Sequence, residues 1–512
     1  MDGMILGGMA NGLDVEGLSK TGVVTSLGRH SGSHKMATYL RAHGLDVEVI
    51  DFLPAWTLDE LKDLTKLRYN SKMKFIGIGG TFDTNFDTVR QYIAWVNDTY
   101  PNVLTVTGSQ LFFHIHQIPA DYHVIGYGEK AMLAILDGTV KYTDTVYNEN
   151  GDTRRVVDAM HSYPAFPMSD LSIEYEIRDF LQPDEMVTME CSRGCKFKCK
   201  FCSFNVIGYK GDASRCMTNL YDEMKRNYEN WGVTDYSCAD ETTNADPDVL
   251  FRTAEAIRKL PFEVNMQGYV RGDLIAARPQ DWEHIADMGL WGHYYGIESF
   301  NHASAKSIGK GMHPDKLKKG LVDAQDYFLK RLNKFRTTFS FIIGLPHETE
   351  ETFEDGVDWM FKNMKTPSLN MFPLTIQHSI TDSKLKNSYS EFDLTWDKTG
   401  LFTETSLEEL GATKEIVNND MIWERLNRTD VTKWSHETMN ILGAYKLFSK
   451  YQNDESFWSK QYPNIWFFHR YMNAGLDYED LHKSLSQLGG VKIGISAAVE
   501  KVNQYKEKKL NQ

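Results

Sequence analysis

The sequence predicts an α/β chain: a doubly wound parallel domain first, a central partial (β/α)6 barrel next, and a mostly helical C-terminal region. Three observations predict it. Short apolar runs alternate with helical patterns from about residue 20 to 150. The alternation returns about six times between residues 184 and 380. Beyond 381 the pattern is mixed, mostly helical and rich in aromatics. Strands that alternate with helices form parallel sheets. The expected domains are therefore 1–150, 184–380 and 381–512, within the two or three that a chain of 512 residues makes.

In the first domain, strands are expected at 22–27, 46–52, 75–80, 103–108 and 122–126. Helices are expected at 34–43, 58–67, 86–96 and 129–136. Met36 and Leu40 stand one turn apart on the first of these. The result is a Rossmann-like sheet, whose ligands sit at the carboxyl ends of the strands. Gly79, Gly80, Gly108, Gly126 and Gly128 mark those ends. They either let the backbone approach a ligand or make tight strand exits.

In the central domain, strands are expected at 186–190, 236–240, 262–270, 291–299, 336–345 and 369–377. Helices are expected at 218–228, 246–260, 280–288, 315–329 and 350–361. Asp246 as cap and Pro247 at the first helical position fix one helix start. Six strand–helix units suit an open relative of the eight-unit barrel, with the site at the carboxyl ends of the strands.

A cysteine triad follows the first barrel strand. Cys195, Cys199 and Cys202 read C-x3-C-x2-C, with Phe201 before the last. Three thiolates on one loop hold three irons of a cubane cluster and leave the fourth open for chemistry. A structural zinc site wants four protein ligands. No second C-x2-C pair and no paired histidine follows here. Buried packing is the other ordinary use of cysteine. Cys191, Cys216 and Cys238 complete the set, and none precedes residue 191. An N-terminal disulfide framework is excluded, which fits a reducing cytoplasm.

The run Glu190-Cys191-Ser192-Arg193-Gly194-Cys195, continuing to Phe201-Cys202, resembles the cluster loop of radical SAM enzymes. It is most similar to the subgroup with an N-terminal cobalamin-binding domain. The resemblance implies a radical SAM barrel whose 4Fe–4S cluster is held by Cys195, Cys199 and Cys202. It implies that the open iron chelates S-adenosylmethionine. One electron then yields methionine and a 5′-deoxyadenosyl radical that abstracts hydrogen from a substrate C–H. It also implies an electron donor such as flavodoxin or ferredoxin. Asp240 or Glu241 would accept from the amino group of S-adenosylmethionine; a solvated loop acid is the plain alternative. Arg271 would pair with its carboxylate, or merely with Asp273. Gly296-Ile297-Glu298-Ser299 resembles the family's G-I-E-S strand, with Glu298 aimed at the ribose or at Arg271. The strand Ile342-Ile343-Gly344-Leu345-Pro346 resembles its adenine-binding strand. There Ile343 and Gly344 would contact adenine, with Phe201 packing nearby.

The first domain resembles cobalamin-binding domains in Ala37-Thr38-Tyr39-Leu40-Arg41-Ala42-His43-Gly44 and in Ile125-Gly126-Tyr127-Gly128-Glu129. The D-x-H-x-x-G motif, whose histidine ligates cobalt in many such domains, is absent. His30 and His34 follow the first expected strand without that spacing. Cobalamin therefore stands against a vestigial or substrate-binding Rossmann-like domain. With cobalamin the resemblance implies methyl transfer to carbon; without it, oxidation, rearrangement or another radical conversion. Methylthiotransferases of the family carry three N-terminal cysteines for a second cluster, which this chain cannot supply.

Composition narrows the partners. A net charge of −14 argues against a broad nucleic-acid footprint. Lys196, Lys198 and Lys200 offset a cluster's negative charge at most locally. The longest apolar runs, such as 339–345, are far too short to span a membrane, and residues 1–17 do not read as a secretory signal. A cytoplasmic enzyme is expected. Trp423, Trp434, Trp458, Trp466, Phe467 and Phe468 suit a cap over the open barrel, and residues 501–512 suit a fraying tail. Two rivals remain: a non-catalytic iron–sulfur or zinc protein, and a pseudo-enzyme that binds a small regulatory ligand.

Overall fold

The computed structural model describes residues 1–11 and 26–373, apart from 52, 54–55, 81–85, 110–117, 142–143, 148–152, 164–171, 180, 182–185, 198, 200–201, 203–213, 344, 346 and 366. Phe201, Gly344 and the C-terminal aromatics lie outside the described residues.

The first sheet contains β1 (Gly3–Leu6), β4 (Val47–Ile50), β5 (Phe75–Gly80), β6 (Leu104–Ser109), β7 (Tyr122–Ile125), β8 (Asp144–Tyr147) and β9 (Thr153–Asp158). Their order is β4-β1-β5-β6-β7-β9-β8. All neighbours are parallel except the edge pair β8–β9. The crossover direction reverses between β1 and β5, the point where such sheets open a crevice. Helices α1 (Ser31–Ala42), α2 (Leu58–Arg68), α3 (Phe86–Thr99) and α4 (Glu129–Leu136) come after β1, β4, β5 and β7 in the chain. β1 shows why both faces are covered. Met4 and Leu6 pack with Leu61, Leu64 and Ile93 of α2 and α3. Ile5 packs with Ala37, Leu40 and Met132 of α1 and α4.

Two expectations are corrected here. The first strand of this sheet is β1, not residues 22–27. Its three apolar residues between glycines make a short signal, yet all four positions of the strand are buried. A Cβ on Gly3 would fall 2.1 Å from the Phe75 ring, so only glycine lets β1 lie this close to β5. Ser26–Gly28 (β3) instead pairs antiparallel with Met9–Asn11 (β2) in a separate ribbon. The last two strands, β9 and the edge strand β8, were not expected, and they carry the sheet to Asp158.

The second sheet is fully parallel. It runs in chain order through β10 (Met186–Met189), β11 (Asp235–Cys238), β12 (Asn265–Arg271), β13 (Leu290–Glu298), β14 (Arg336–Ile343) and β15 (Pro367–Pro373). The longer helices between them are α5 (Met217–Trp231), α6 (Pro247–Ile257), α7 (Pro314–Arg331) and α8 (Glu350–Asn363). Asp246 caps α6, accepting from the Asp248 and Val249 amides, as its sequence suggests. One face of the sheet, with Val187, Tyr236, Met266, Tyr295 and Phe339, packs on these helices through Leu220, Leu250, Leu321 and Phe328. Among the described residues, no helix is long and apolar enough to cross a membrane.

Candidate active site where the two sheets meet

The cysteine loop leaves β10 and is pinned at both ends. Asp240, just past β11, accepts from the Cys191 amide at 2.7 Å, the Ser192 amide at 3.1 Å and the Ser192 hydroxyl at 2.7 Å. Burial still pushes its carboxyl above the usual range. On the returning side, Arg215 donates its amide to the Cys191 carbonyl at 2.7 Å, and its buried guanidinium pairs with Glu223. Ser192 and Ser214 form an antiparallel bridge that closes the base.

Cys195, Cys199 and Cys202 are each half-buried on this loop. Arg271, the last residue of β12, donates to Cys199 Sγ at 3.1 Å. The same guanidinium holds Asp273 at 2.5 and 2.9 Å and lies 4.0 Å from the centre of the Phe197 ring. Burial works against its charge, but Asp273 more than offsets this and holds its pKa above the ordinary value. Cys195 Sγ lies 3.8 Å from the Thr242 hydroxyl. Three half-buried thiols on one pinned loop, with the Arg271 guanidinium donating to one of them, fit an iron–sulfur cluster.

Several candidate residues stand elsewhere than the resemblance implies. Both oxygens of Asp240 are engaged by the loop, so it anchors backbone rather than facing a ligand. Glu241 is the freer acid. Its Oε1 accepts from the Tyr127 hydroxyl at 3.3 Å, while its buried Oε2 has no hydrogen-bond partner among the described residues. Burial raises its carboxyl pKa. Glu298 does not meet Arg271; it pairs with Lys310 at 2.7 Å. The cause is local. The β13–β14 register shifts between Gly296 and Glu298, and Glu298 takes a φ of 65°. A bulge of this kind re-aims a side chain at the price of backbone strain. Ile343 closes β14 in register with Pro373.

A cavity of about 350 Å³ lies at the switch point of the first sheet, within the range of small-molecule sites. Its walls come from the carboxyl ends of both sheets: Gly79, Gly108 and Tyr127 on one side, Glu190, Arg193 and Glu241 on the other. A charged seam joins the two. Arg193, in the cysteine loop, donates to Glu129 of α4 at 2.7 Å and lies 4.2 Å from the centre of the Tyr127 ring. Lys35 of α1 is fully buried against Glu190. Burial, with Arg193 and Arg215 adding like charge, holds its amine well below its usual pKa.

The glycines of this cavity divide between the two readings made of them. The space beside Gly79 is filled by the His30 ring, 2.5 Å from where a Cβ would lie. Gly108 has its nearest neighbour at 3.8 Å and leaves room. His30 bonds Ser33 at 2.7 Å, and burial lowers its pKa to about 4. His34 is committed to Asp51 at 2.8 Å.

Residues 189–360 match the model of the Radical SAM superfamily. The chain carries a radical SAM domain. An uncharacterised methyltransferase of Pyrococcus horikoshii is 23% identical over 364 residues, 66% of this chain and 74% of that protein. The ribosomal protein uS12 methylthiotransferase RimO of Alteromonas mediterranea is 27% identical over 218 residues, 38% of this chain and 41% of that protein. The radical SAM methyltransferase TsrM of Kitasatospora setae, solved with tryptophan and a SAM analogue, superposes with a TM-score of 0.58 at 14% identity over 100% of both chains. It shares the fold.

In the radical SAM domain, the sequence singled out the cysteine triad and Arg271, and the structure brings Arg271 to Cys199. It gave no sign of the ion pairs made by Lys35, Glu129, Arg215 and Lys310. The partner of each is 8 to 155 residues away in number, as the pairs Arg215–Glu223 and Lys35–Glu190 illustrate.

Proposed function

We propose that this radical SAM enzyme holds a 4Fe–4S cluster on Cys195, Cys199 and Cys202, and methylates a substrate carbon with cobalamin bound in the neighbouring cavity. The observation that carries the proposal is the Arg271 guanidinium on Cys199 Sγ, on a loop pinned at both ends beside a cavity at the switch point. When bound, the cluster supplies one electron to S-adenosylmethionine, which gives methionine and a carbon radical able to remove hydrogen from a C–H bond.

The chain's own residues bind and orient. Arg271 spreads the negative charge on Cys199. The free Oε2 of Glu241 is placed to accept from a ligand ammonium, a role that Asp240 cannot share because its oxygens hold the loop. Asp240, Arg215 and Glu129 keep the loop in one geometry. TsrM, which shares the fold, has been solved with cobalamin and a 4Fe–4S cluster bound, and this supports the cobalamin reading. A flavodoxin- or ferredoxin-type reductant and a cytoplasmic setting belong to the same proposal.

A second reading has a specific observation in its favour. His30 fills the space beside Gly79, and no D-x-H-x-x-G histidine is present, which suits a smaller ligand in the cavity. One experiment separates the two. The chain is reconstituted anaerobically, incubated with hydroxocobalamin and passed through gel filtration. Co-elution of one corrinoid absorbance per chain supports the first reading. Elution of the protein without it leaves a radical SAM enzyme with another ligand in that cavity.

A further inference from the structure

The face of the second sheet turned away from its helices carries hydroxyl, amide and aromatic side chains beside Arg271 and Arg336. Thr188, Ser237 and Gln267 share one level, and Tyr269, Tyr294 and Thr338 the next. None of the six is fully buried, whereas their strand neighbours Val187, Cys238, Met266, Val270, His293, Tyr295 and Phe339 all are. Alternation along a strand therefore puts these six on the open face.

Tyr269 stands out on that face. At 50% exposure it leads the exposed large hydrophobic side chains among the described residues, although it lies within a paired strand. Its ring meets Tyr294 edge to face, at 4.7 Å and 64°. Arg271 follows two residues later on the same face, about 6.6 Å along the strand, and touches Cys199 Sγ. The tyrosine pair thus stands one strand step from the cysteine loop. An exposed aromatic surface is a cost in water and a gain once a ligand covers it. Arg336, in register with Gly292 at the Gln267 level, stands exposed at the start of β14, two strands from Gln267. An edge-to-face pair presents further ring surface for a third ring at 4.5–7 Å. The hydroxyls of Thr188 and Ser237 and the Gln267 amide offer hydrogen bonds to a ring heteroatom.

We propose that Tyr269 and Tyr294 form the substrate wall of this enzyme, and that the part of the substrate they hold is a planar ring. This deepens the proposed function and rests on it. The test is equilibrium dialysis of the full, anaerobically reconstituted chain against indole and against cyclohexanol, a non-planar alcohol of similar bulk. Indole is expected to bind more tightly than cyclohexanol. Tyr269→Ala is expected to weaken indole roughly five- to tenfold, while Tyr269→Phe keeps it. Phe251→Ala, which removes an exposed aromatic of α6, is expected to change nothing. Equal affinity for the two probes, undiminished binding in Tyr269→Ala, or an equal loss in Phe251→Ala would overturn the proposal. Titration with S-adenosylmethionine on the same sample is read separately. Its failure would count against the cluster reading, and the contrast between indole in the parent and in Tyr269→Ala would still decide the wall.

Discussion

Arg271 carries two loads at once, an ion pair with Asp273 and a charged hydrogen bond to Cys199 Sγ. Such a bond lowers the electron density on a thiolate ligand and so raises the potential of the cluster it serves. Arg271→Gln is expected to move the cluster's midpoint to a more negative value, read by a redox titration followed by electron paramagnetic resonance. An unchanged midpoint would mean that Arg271 only holds Asp273. Glu348 makes a different prediction. Burial raises its pKa to about 8, against the opposing hydrogen bond from Ser299. The folded state therefore keeps a proton that the unfolded state loses above about 4.5. Stability falls as pH rises from 4.5 towards 8, and below 4.5 the group contributes nothing. Glu348→Gln removes that loss. It is expected to be more stable than the parent at pH 7.5, by a gain on the order of a few kcal/mol, and about equal at pH 4.5, in urea titrations. Equal stability at both pH values would show that Glu348 is not held protonated. At this scale the sequence disclosed the triad, because its spacing is local. The aim of Glu298 was hidden, because a bulge and a left-handed φ set it.

The elements were legible where their signals were long. β12, β13 and β14 run for 7 to 9 residues, each followed by a helix, and they stand within about three residues of where periodicity puts them. β1 was missed because its apolar run is short, and β8 and β9 because they lie outside the alternating pattern. The contact that joins elements, Arg193 of the cysteine loop on Glu129 of α4, has no local signature at all. It also makes a prediction. Glu129→Ala takes from the buried Arg193 guanidinium the nearer of its two carboxylates and leaves Glu190 at 3.3 Å, so the cost is expected to be below the roughly 3–5 kcal/mol of a buried charge left with no partner. The loop it steadies should then load less iron and sulfide under equal reconstitution. Retention of full iron content by this variant would show that Asp240 and Arg215 suffice to hold the loop.

The whole molecule sets two parallel sheets with their carboxyl ends towards each other. Each sheet brings its strand ends, where a parallel α/β sheet binds ligands, to a shared cavity whose wall is part of the cysteine loop. A ligand in that cavity touches Lys35, Glu129 and Arg193, the side chains that tie the first sheet to the loop. Saturating hydroxocobalamin should therefore raise the melting temperature of the reconstituted chain, by the linkage that stabilises any folded state with its ligand. No shift at saturation would place the corrinoid elsewhere or nowhere. On this reading Cys195, Cys199 and Cys202 support reductive cleavage of S-adenosylmethionine. The most direct measurement is 5′-deoxyadenosine, read by mass spectrometry after anaerobic reconstitution with iron and sulfide and addition of dithionite and S-adenosylmethionine. Release from the parent chain, and none above background from the variant with all three cysteines replaced by alanine, is the predicted result. Equal release from both, or none from a parent chain whose spectrum shows an intact cluster, would contradict it.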